Sequence, residues 1–367
     1  LVGQALYILW EVTEMKLWVN ENLNVFMDIS TYCNAGCPQC HRTNPKGLAK
    51  QDWLPLIKWS LEDFVKAFPI SEIKNVKRFN FCGTWGDPMM AKDILKIVEY
   101  IINNSNSEVI ITTNGSLRSD DFWWDIGVLG GKRLQVIFDI DGINQEMHEK
   151  YRRFTNLETV LSNLRTFSQT NAAVKTQTVL FKHNQDYKDE IRALAISNGS
   201  MSHTFVISDR FDKSTQTLHI DENGKDFILE KADDTILPKG IIAGTHKRTL
   251  TTRITCRWGG PRNEIVVNPD GQILPCCYHQ NNYFLALNKN IEFLNTTFLQ
   301  TPEYIEYEKN KKKYNIFHTP LSEIIDSKWY SETLPDSMNS DNPIHGCVRN
   351  CSNRTKATHQ LREEIRA

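Results

Sequence analysis

The sequence predicts an α/β fold: a partial (β/α)6 barrel of the TIM type, followed by a small β-hairpin and helical unit that gathers cysteines. Three observations predict it. Six short apolar runs alternate with longer helix-period segments up to residue 208, the βαβ rhythm that builds a parallel sheet with helices outside. The first four runs are each followed by a polar signature, CNAGCPQC, GTWGDP, TTNGS and IDG, and barrel chemistry collects at the C-terminal ends of strands. The rhythm then stops, and cysteines resume at residue 256.

Strands are expected near 24–30 (NVFMDIS), 76–82 (VKRFNFC), 108–113 (EVIITT), 133–140 (RLQVIFDI), 173–181 and 203–208 (HTFVIS). Helices are expected between them, near 53–68, 90–104, 119–128, 156–168 and 185–197. Six units fit an open barrel better than a closed eight-fold one. Residues 209–255, with DRFDKSTQT and DENGKD, read as a polar linker or insertion. EIVVNPDGQILPCC places two apolar runs around Asn-Pro-Asp-Gly and predicts a β-hairpin. EYIEYEKNKKKY has charged helix or loop character, PLSEIIDSKWY is a helix with Pro at its start, and a polar cysteine-bearing tail follows. The expected units are an N-terminal segment 1–22, the barrel 23–208, the linker 209–255 and a cysteine-bearing domain 256–367.

With 367 residues, 40% hydrophobic and 24% charged, the chain can bury a large core. Its formal charge of -1 advertises neither a nucleic-acid nor a membrane surface. HKR at 246–248 and KNKKK at 309–313 read first as solvated faces. No run approaches the roughly 20 apolar residues of a membrane span, and no secretory signal is evident, so a cytoplasmic setting without a membrane partner is expected. The opening LVGQALYILW reads as a strand or capping segment.

Nine cysteines stand as a triplet (Cys33, Cys37, Cys40), two lone residues (Cys82, Cys256), an adjacent pair (Cys276, Cys277) and a late pair (Cys347, Cys351). In a chain of this size the clustering reads as metal ligation rather than a disulfide framework. C-x3-C-x2-C can hold three corners of a cubane iron–sulfur cluster while backbone N–H groups face its sulfurs. An iron without a protein ligand can then chelate the amino and carboxylate groups of S-adenosylmethionine beside a one-electron donor. Structural zinc with His41 as fourth ligand, or unligated thiols, are the other readings of this spacing. Cys82 reads as a small buried thiol.

With these residues the chain resembles the radical S-adenosylmethionine superfamily over about residues 22–208. Gln39 takes the place of the family's aromatic residue before the third cysteine, and His41 is the neighbour that could contribute beside the adenine. The resemblance implies that Gly83, Gly86 and Asp87 of FCGTWGDP receive the methionine amino group, with Asp87 as a helix cap the plainer account. It implies that Asn114 holds the nucleoside, that Asp139 stands where a Ser is usual, and that Arg152 or Arg153 of HEKYRRF pairs with the methionine carboxylate.

Cys256, Cys276, Cys347 and Cys351 could form a tetrathiolate set for a second cluster or for zinc. Their order, including Gly-x4-Cys in GQILPC, resembles the twitch form of the SPASM and twitch auxiliary-cluster domains. This implies one auxiliary [4Fe–4S] cluster beside the catalytic [4Fe–4S] cluster, with the choice between Cys276 and Cys277 resting on the resemblance. The expected activity is reductive cleavage of S-adenosylmethionine to a 5'-deoxyadenosyl radical and hydrogen abstraction from a small molecule or peptide, for oxidation or bond formation. A flavodoxin- or ferredoxin-type donor would supply electrons. The alternatives are a nucleic-acid or nucleotide modifying enzyme and a noncatalytic iron–sulfur or zinc module.

Overall fold

The computed structural model describes residues 16–208, 210–212, 214–233, 236, 254–291, 298–352 and 362–366. Strands β1 (Leu23–Met27), β2 (Val76–Phe81), β3 (Glu108–Thr113), β4 (Leu134–Asp139), β5 (Ala173–Leu180) and β6 (Ser202–Ile207) run parallel, each hydrogen-bonded to the next. Helices α1 (Leu61–Ala67), α2 (Ile70–Ile73), α3 (Ile94–Asn104), α4 (Asp120–Gly130), α5 (Gln145–Glu149), α6 (Leu157–Ser168) and α7 (Lys188–Ser197) lie between them in sequence. The cause is periodicity. In β4, Leu134, Val136 and Phe138 are buried at period two, whereas α3 buries Ile94, Ile97, Val98 and Ile101 at helical spacing.

The helix expected over 53–68 starts only at Leu61. Ser60 and Asp63 form a reciprocal capping box there. The preceding stretch is held by the Ser30–Lys58 bridge and by Trp59 Nε1, which donates to the Pro269 carbonyl at 2.7 Å.

Within the segment read as irregular, β7 (Thr217–Glu222) and β8 (Lys225–Glu230) form an antiparallel hairpin. Asn223 and Gly224 both take positive φ at its tip, as a two-residue type I′ turn requires. Backbone bonds from Gly47 to Asp221 and from Asp221 to Pro45 fasten this hairpin to the loop that carries the triplet. Ile220 and Leu229 join Ala35, Cys37, Leu48, Tyr151 and Phe181 in a small apolar cluster. HKR at 246–248 and the opening LVGQALYILW lie outside the described residues.

The expected Asn-Pro-Asp-Gly hairpin is formed by β9 (Glu264–Val267) and β10 (Ile273–Leu274), with Gly271 at φ +83°. Its first strand pairs in parallel with β1, and the backbone of β11 (Arg362–Arg366) pairs antiparallel with β6. Barrel and hairpin therefore share one nine-stranded sheet, in the order β10-β9-β1-β2-β3-β4-β5-β6-β11. Helices α8 (Cys277–Leu285), α9 (Pro302–Lys309), α10 (Leu321–Ile325), α11 (Leu334–Asn339) and α12 (His345–Cys351) pack beyond it. The Tyr307 and Tyr330 hydroxyls both donate to the Ile273 carbonyl, at 2.7 and 2.9 Å, which anchors these aromatic-rich helices to the hairpin. Among the described residues no helix is long and apolar enough to cross a membrane.

Candidate active site

A cavity of about 400 Å³ opens at the C-terminal ends of the parallel strands. The loop after β1 brings Cys33, Cys37 and Cys40 to its wall, and the turn after β2 brings Cys82, Gly83, Gly86 and Asp87. Asn114 arrives from β3, Asp139 from β4, and Arg152 from the segment after α5.

The thiols are met by N–H donors. Cys33 Sγ lies 3.3 Å from the Ala35 amide and 3.7 Å from Asn114 Nδ2, and Cys37 Sγ lies 3.8 Å from Arg152 Nη1. Burial pushes the Cys37 thiol up to about 12, against the opposing pull of Arg152, and burial raises Cys33 as well. Bare, these groups stay protonated; positive iron is what would make thiolates of them. Three adjacent thiols, two of them with N–H donors, in a cavity with room beside them, fit an iron–sulfur cluster.

Asp87 is buried, and its oxygens are shared among protein donors. Oδ1 accepts from the Met89 amide at 2.9 Å and from Thr113 Oγ1 at 3.0 Å, while Oδ2 accepts from the Asn114 amide at 2.9 Å and Asn114 Nδ2 at 2.7 Å. It caps the turn that follows, and it also ties the end of β3 to the rim. Gly86 is forced by contact: a Cβ there would stand 2.4 Å from the Ser30 carbonyl and 2.6 Å from that of Tyr32.

Arg152 is clamped by two carboxylates. Its Nη1 lies 2.9 Å from Asp139 Oδ2, and its Nε donates to Asp141. Gln177 Nε2 donates to the other Asp139 oxygen at 2.7 Å, and the Val179 amide donates to Asp141 at 2.6 Å. Burial lifts Asp139 to about 6 although Arg152 opposes the rise. The guanidinium is thus held with one edge in this clamp and Nη1 toward Cys37.

Three expected residues are placed elsewhere. Arg153 pairs with Glu222 of β7 and lies over the Phe227 ring, away from the cavity wall. His41 packs its ring 5.9 Å from that of Trp85. Gln39 locks to Arg210 by reciprocal bonds, Nε2 to the Arg210 carbonyl at 2.8 Å and Arg210 Nη1 to the Gln39 carbonyl at 3.1 Å. Gln39 therefore ties the triplet loop to the segment after β6.

The sequence did not single out Asp28, Gln280 or the placement of Cys277. Asp28, just past β1, is buried and raised to about 6 by that burial. It accepts from the Trp85 amide at 3.1 Å and from Gln280 Nε2 at 2.9 Å. Gln280 and Cys277, both on α8, line the same cavity. A carboxylate inside the apolar run Val-Phe-Met-Asp-Ile was the available signal; nothing in the sequence linked it to residue 280.

Cys256, Cys276, Cys347 and Cys351 line a second, enclosed space beyond the sheet. The Ile254–Ser352 bridge and the bond from the Thr255 amide to the Cys351 carbonyl at 3.0 Å bring the first and last of these segments together. The β9–β10 hairpin delivers Cys276 as N-cap of α8. Cys256 Sγ accepts from the Gly259 amide at 3.2 Å, and His279 Nε2 lies 3.3 Å from Cys347 Sγ. Four thiols with sulfur-directed donors fit an iron–sulfur cluster there. Among the described residues no three His, Cys, Asp or Glu side chains are gathered tightly enough for a single metal ion.

Residues 27–195 match the family model described as the Radical SAM superfamily. That stretch, a little under half of the chain, is similar to the superfamily, and the fold is of the SPASM-type, auxiliary-cluster kind. It is 25% identical over 144 residues to a probable GTP 3',8-cyclase of Methanocaldococcus jannaschii, covering 38% of this chain and 43% of the relative. A probable GTP 3',8-cyclase of Methanothermobacter marburgensis is 31% identical over 113 residues, 31% of this chain and 34% of that one. The chain thus spans about two-fifths or less of the curated relatives it matches. Among solved structures, Streptococcus suis SuiB aligns with a TM-score of 0.53 at 16% identity, over 90% of this chain and 68% of SuiB. SuiB bound to S-adenosylmethionine gives 0.50 at 13% identity, over 89% and 77%. This likeness is one of fold.

Proposed function

We propose that the chain is an oxidoreductase that cleaves S-adenosylmethionine reductively and abstracts a hydrogen from a small-molecule or peptide substrate. The observation that carries the proposal is the gathering of three thiols, two of them met by N–H donors, and a doubly clamped arginine in one cavity at the barrel mouth. Cys33, Cys37 and Cys40 would hold a catalytic [4Fe–4S] cluster, and Cys256, Cys276, Cys347 and Cys351 one auxiliary [4Fe–4S] cluster. When bound, the reduced catalytic cluster supplies the electron that splits S-adenosylmethionine into methionine and a 5'-deoxyadenosyl radical.

The protein's own part is binding and exclusion. Arg152 presents its charge to the methionine carboxylate, oriented by Asp139 and Asp141. Gly83 and Gly86 admit the ligand close to the backbone, and Asp87 fixes the rim against which the methionine amino group and, at Asn114, the nucleoside would lie. The Thr217–Glu230 hairpin, packed on the triplet loop, shields that side from water. A noncatalytic scaffold would have no use for this buried Arg152 clamp. The reading places the chain in the cytoplasm with a flavodoxin- or ferredoxin-type donor.

The test is anaerobic reconstitution with iron and sulfide, followed by dithionite and S-adenosylmethionine, with 5'-deoxyadenosine measured by mass spectrometry. Cys33→Ala, Cys37→Ala and Cys40→Ala should each abolish its formation. Normal cleavage by a chain lacking all three thiols would sink the proposal. The cyclase relatives favour a second reading, a nucleotide substrate; consumption of GTP by the reconstituted protein distinguishes it.

A further inference from the structure

Behind Cys347 the second thiol space has a polar arrangement that the reading above does not use. His279, on α8, is fully enclosed and engaged at both ring nitrogens. Nδ1 meets the Tyr304 hydroxyl at 2.5 Å, and Nε2 meets Cys347 Sγ at 3.3 Å. Tyr304 is itself buried among Phe298, Tyr307 and Trp329, with ring centroids 4.1, 5.7 and 5.9 Å away. Its neighbours Tyr307 and Tyr330 turn their hydroxyls to the Ile273 carbonyl, the ordinary fate of a buried phenol. Tyr304 alone of these three turns its hydroxyl to the imidazole.

We infer that His279, held by Tyr304, is a positioning residue that donates an N–H to Cys347 and thereby raises the reduction potential of the auxiliary cluster. The inference rests on the auxiliary-cluster reading above, and the chemistry fixes its direction. With a proton on Cys347, the chain Cys S–H to Nε2 and Nδ1–H to the tyrosine oxygen is allowed. With an iron-bound thiolate there is no proton on sulfur, so only one pattern remains: Tyr304 donates to Nδ1, and Nε2–H donates to Cys347. A neutral imidazole has one N–H, so in this pattern that hydrogen sits on Nε2. Donation into Nδ1 makes the opposite N–H a stronger donor.

Reduction adds negative charge to a cluster and its thiolates, and an N–H aimed at a ligand sulfur favours that state. In this enclosed, aromatic-walled space no bulk water can replace a lost donor. Removing it should change the oxidised-to-reduced equilibrium about tenfold, or ~59 mV for a one-electron couple. The two bonds act in series, so loss of the phenol gives a smaller shift with the same sign.

The experiment is an anaerobic redox titration, followed by electron paramagnetic resonance, of the full chain reconstituted with iron and sulfide. A Cys33→Ala, Cys37→Ala, Cys40→Ala background isolates the auxiliary signal. His279→Phe should titrate at a potential lower by about the tenfold equivalent, Tyr304→Phe by less. His279→Gln, whose amide nitrogen reaches about as far as Nε2, should restore most of the wild-type value. An unchanged potential in His279→Phe refutes the inference. Loss of the auxiliary signal in His279→Phe together with its retention in Cys347→Ser also overturns it, making His279 a ligand. A wild-type chain that takes up iron and sulfide for one cluster only refutes the auxiliary-cluster reading itself, before any His279 variant is compared.

Discussion

Replacing Arg152 by Met keeps much of the side-chain volume but leaves Asp139 and Asp141 buried without their cation. In the native chain both carboxylates lie against the guanidinium, with side-chain exposures of only 8% and 0%. Removing one partner of such a buried ionic group costs about 3–5 kcal/mol, because the remaining charge is uncompensated. Taking an unfolding entropy of ~2.1 cal/mol/K per residue over the whole chain, that is roughly 4–6 °C in Tm. The penalty should depend on pH. Asp139 is raised to about 6 from an ordinary 3.8, so its protonated form favours the folded state. Its contribution is full below pH 3.8 and is lost as pH rises through 6. Without Arg152, which pulls it down, Asp139 should titrate higher still. Differential scanning fluorimetry of the reduced apo chain should therefore show Arg152→Met far below wild type near pH 8 and closer to it near pH 5. Arg152→Met/Asp139→Asn should recover much of the loss near pH 8. Equal Tm deficits at both pH values, with no recovery in the double variant, would refute the clamp as an ionic device.

Gly86→Ala should lower Tm and iron uptake together. The new methyl would meet the Ser30 and Tyr32 carbonyls and the Thr31 carbonyl carbon, all backbone, so the triplet loop must move. Overpacking of this kind costs about 1–3 kcal/mol; wild-type Tm and iron content in the variant would show that the loop has slack. Cys276→Ser and Cys277→Ser should differ despite their adjacency: the first should lose the iron and sulfide of one cluster, the second should retain both. Elemental analysis after reconstitution decides, and loss in the second alone would reverse the assignment.

The strands of the barrel were legible because their apolar alternation is local. The triplet was legible because three cysteines fall within eight residues. What the sequence hid depends on long-range pairing. The hairpin at 264–274 has its turn written in Asn268, Pro269, Asp270 and Gly271, but nothing in those residues says that β9 will add to β1. The segment 217–230 read as irregular because its strands are polar on an exposed surface; only Ile220 and Leu229 are buried. Arg152 and Arg153 were indistinguishable as neighbours, and the fold separates them: one turns to Asp139 and Asp141, the other to Glu222.

The same geometry explains why Cys276 and Cys277 could not be told apart in the sequence. Successive residues at the start of a helix project about 100° apart. Cys276, the N-cap of α8, lines the space shared with Cys256, Cys347 and Cys351, whereas Cys277 and Gln280 line the barrel cavity. His279, between them in sequence, returns to the second space and meets Cys347. A single helical turn thus forms part of both walls. Gln280 anchors it to Asp28 at the end of β1, five residues before Cys33. Any displacement of α8 toward or away from the second set of thiols must therefore be felt at the barrel mouth, through the buried hydrogen bond between Gln280 and Asp28.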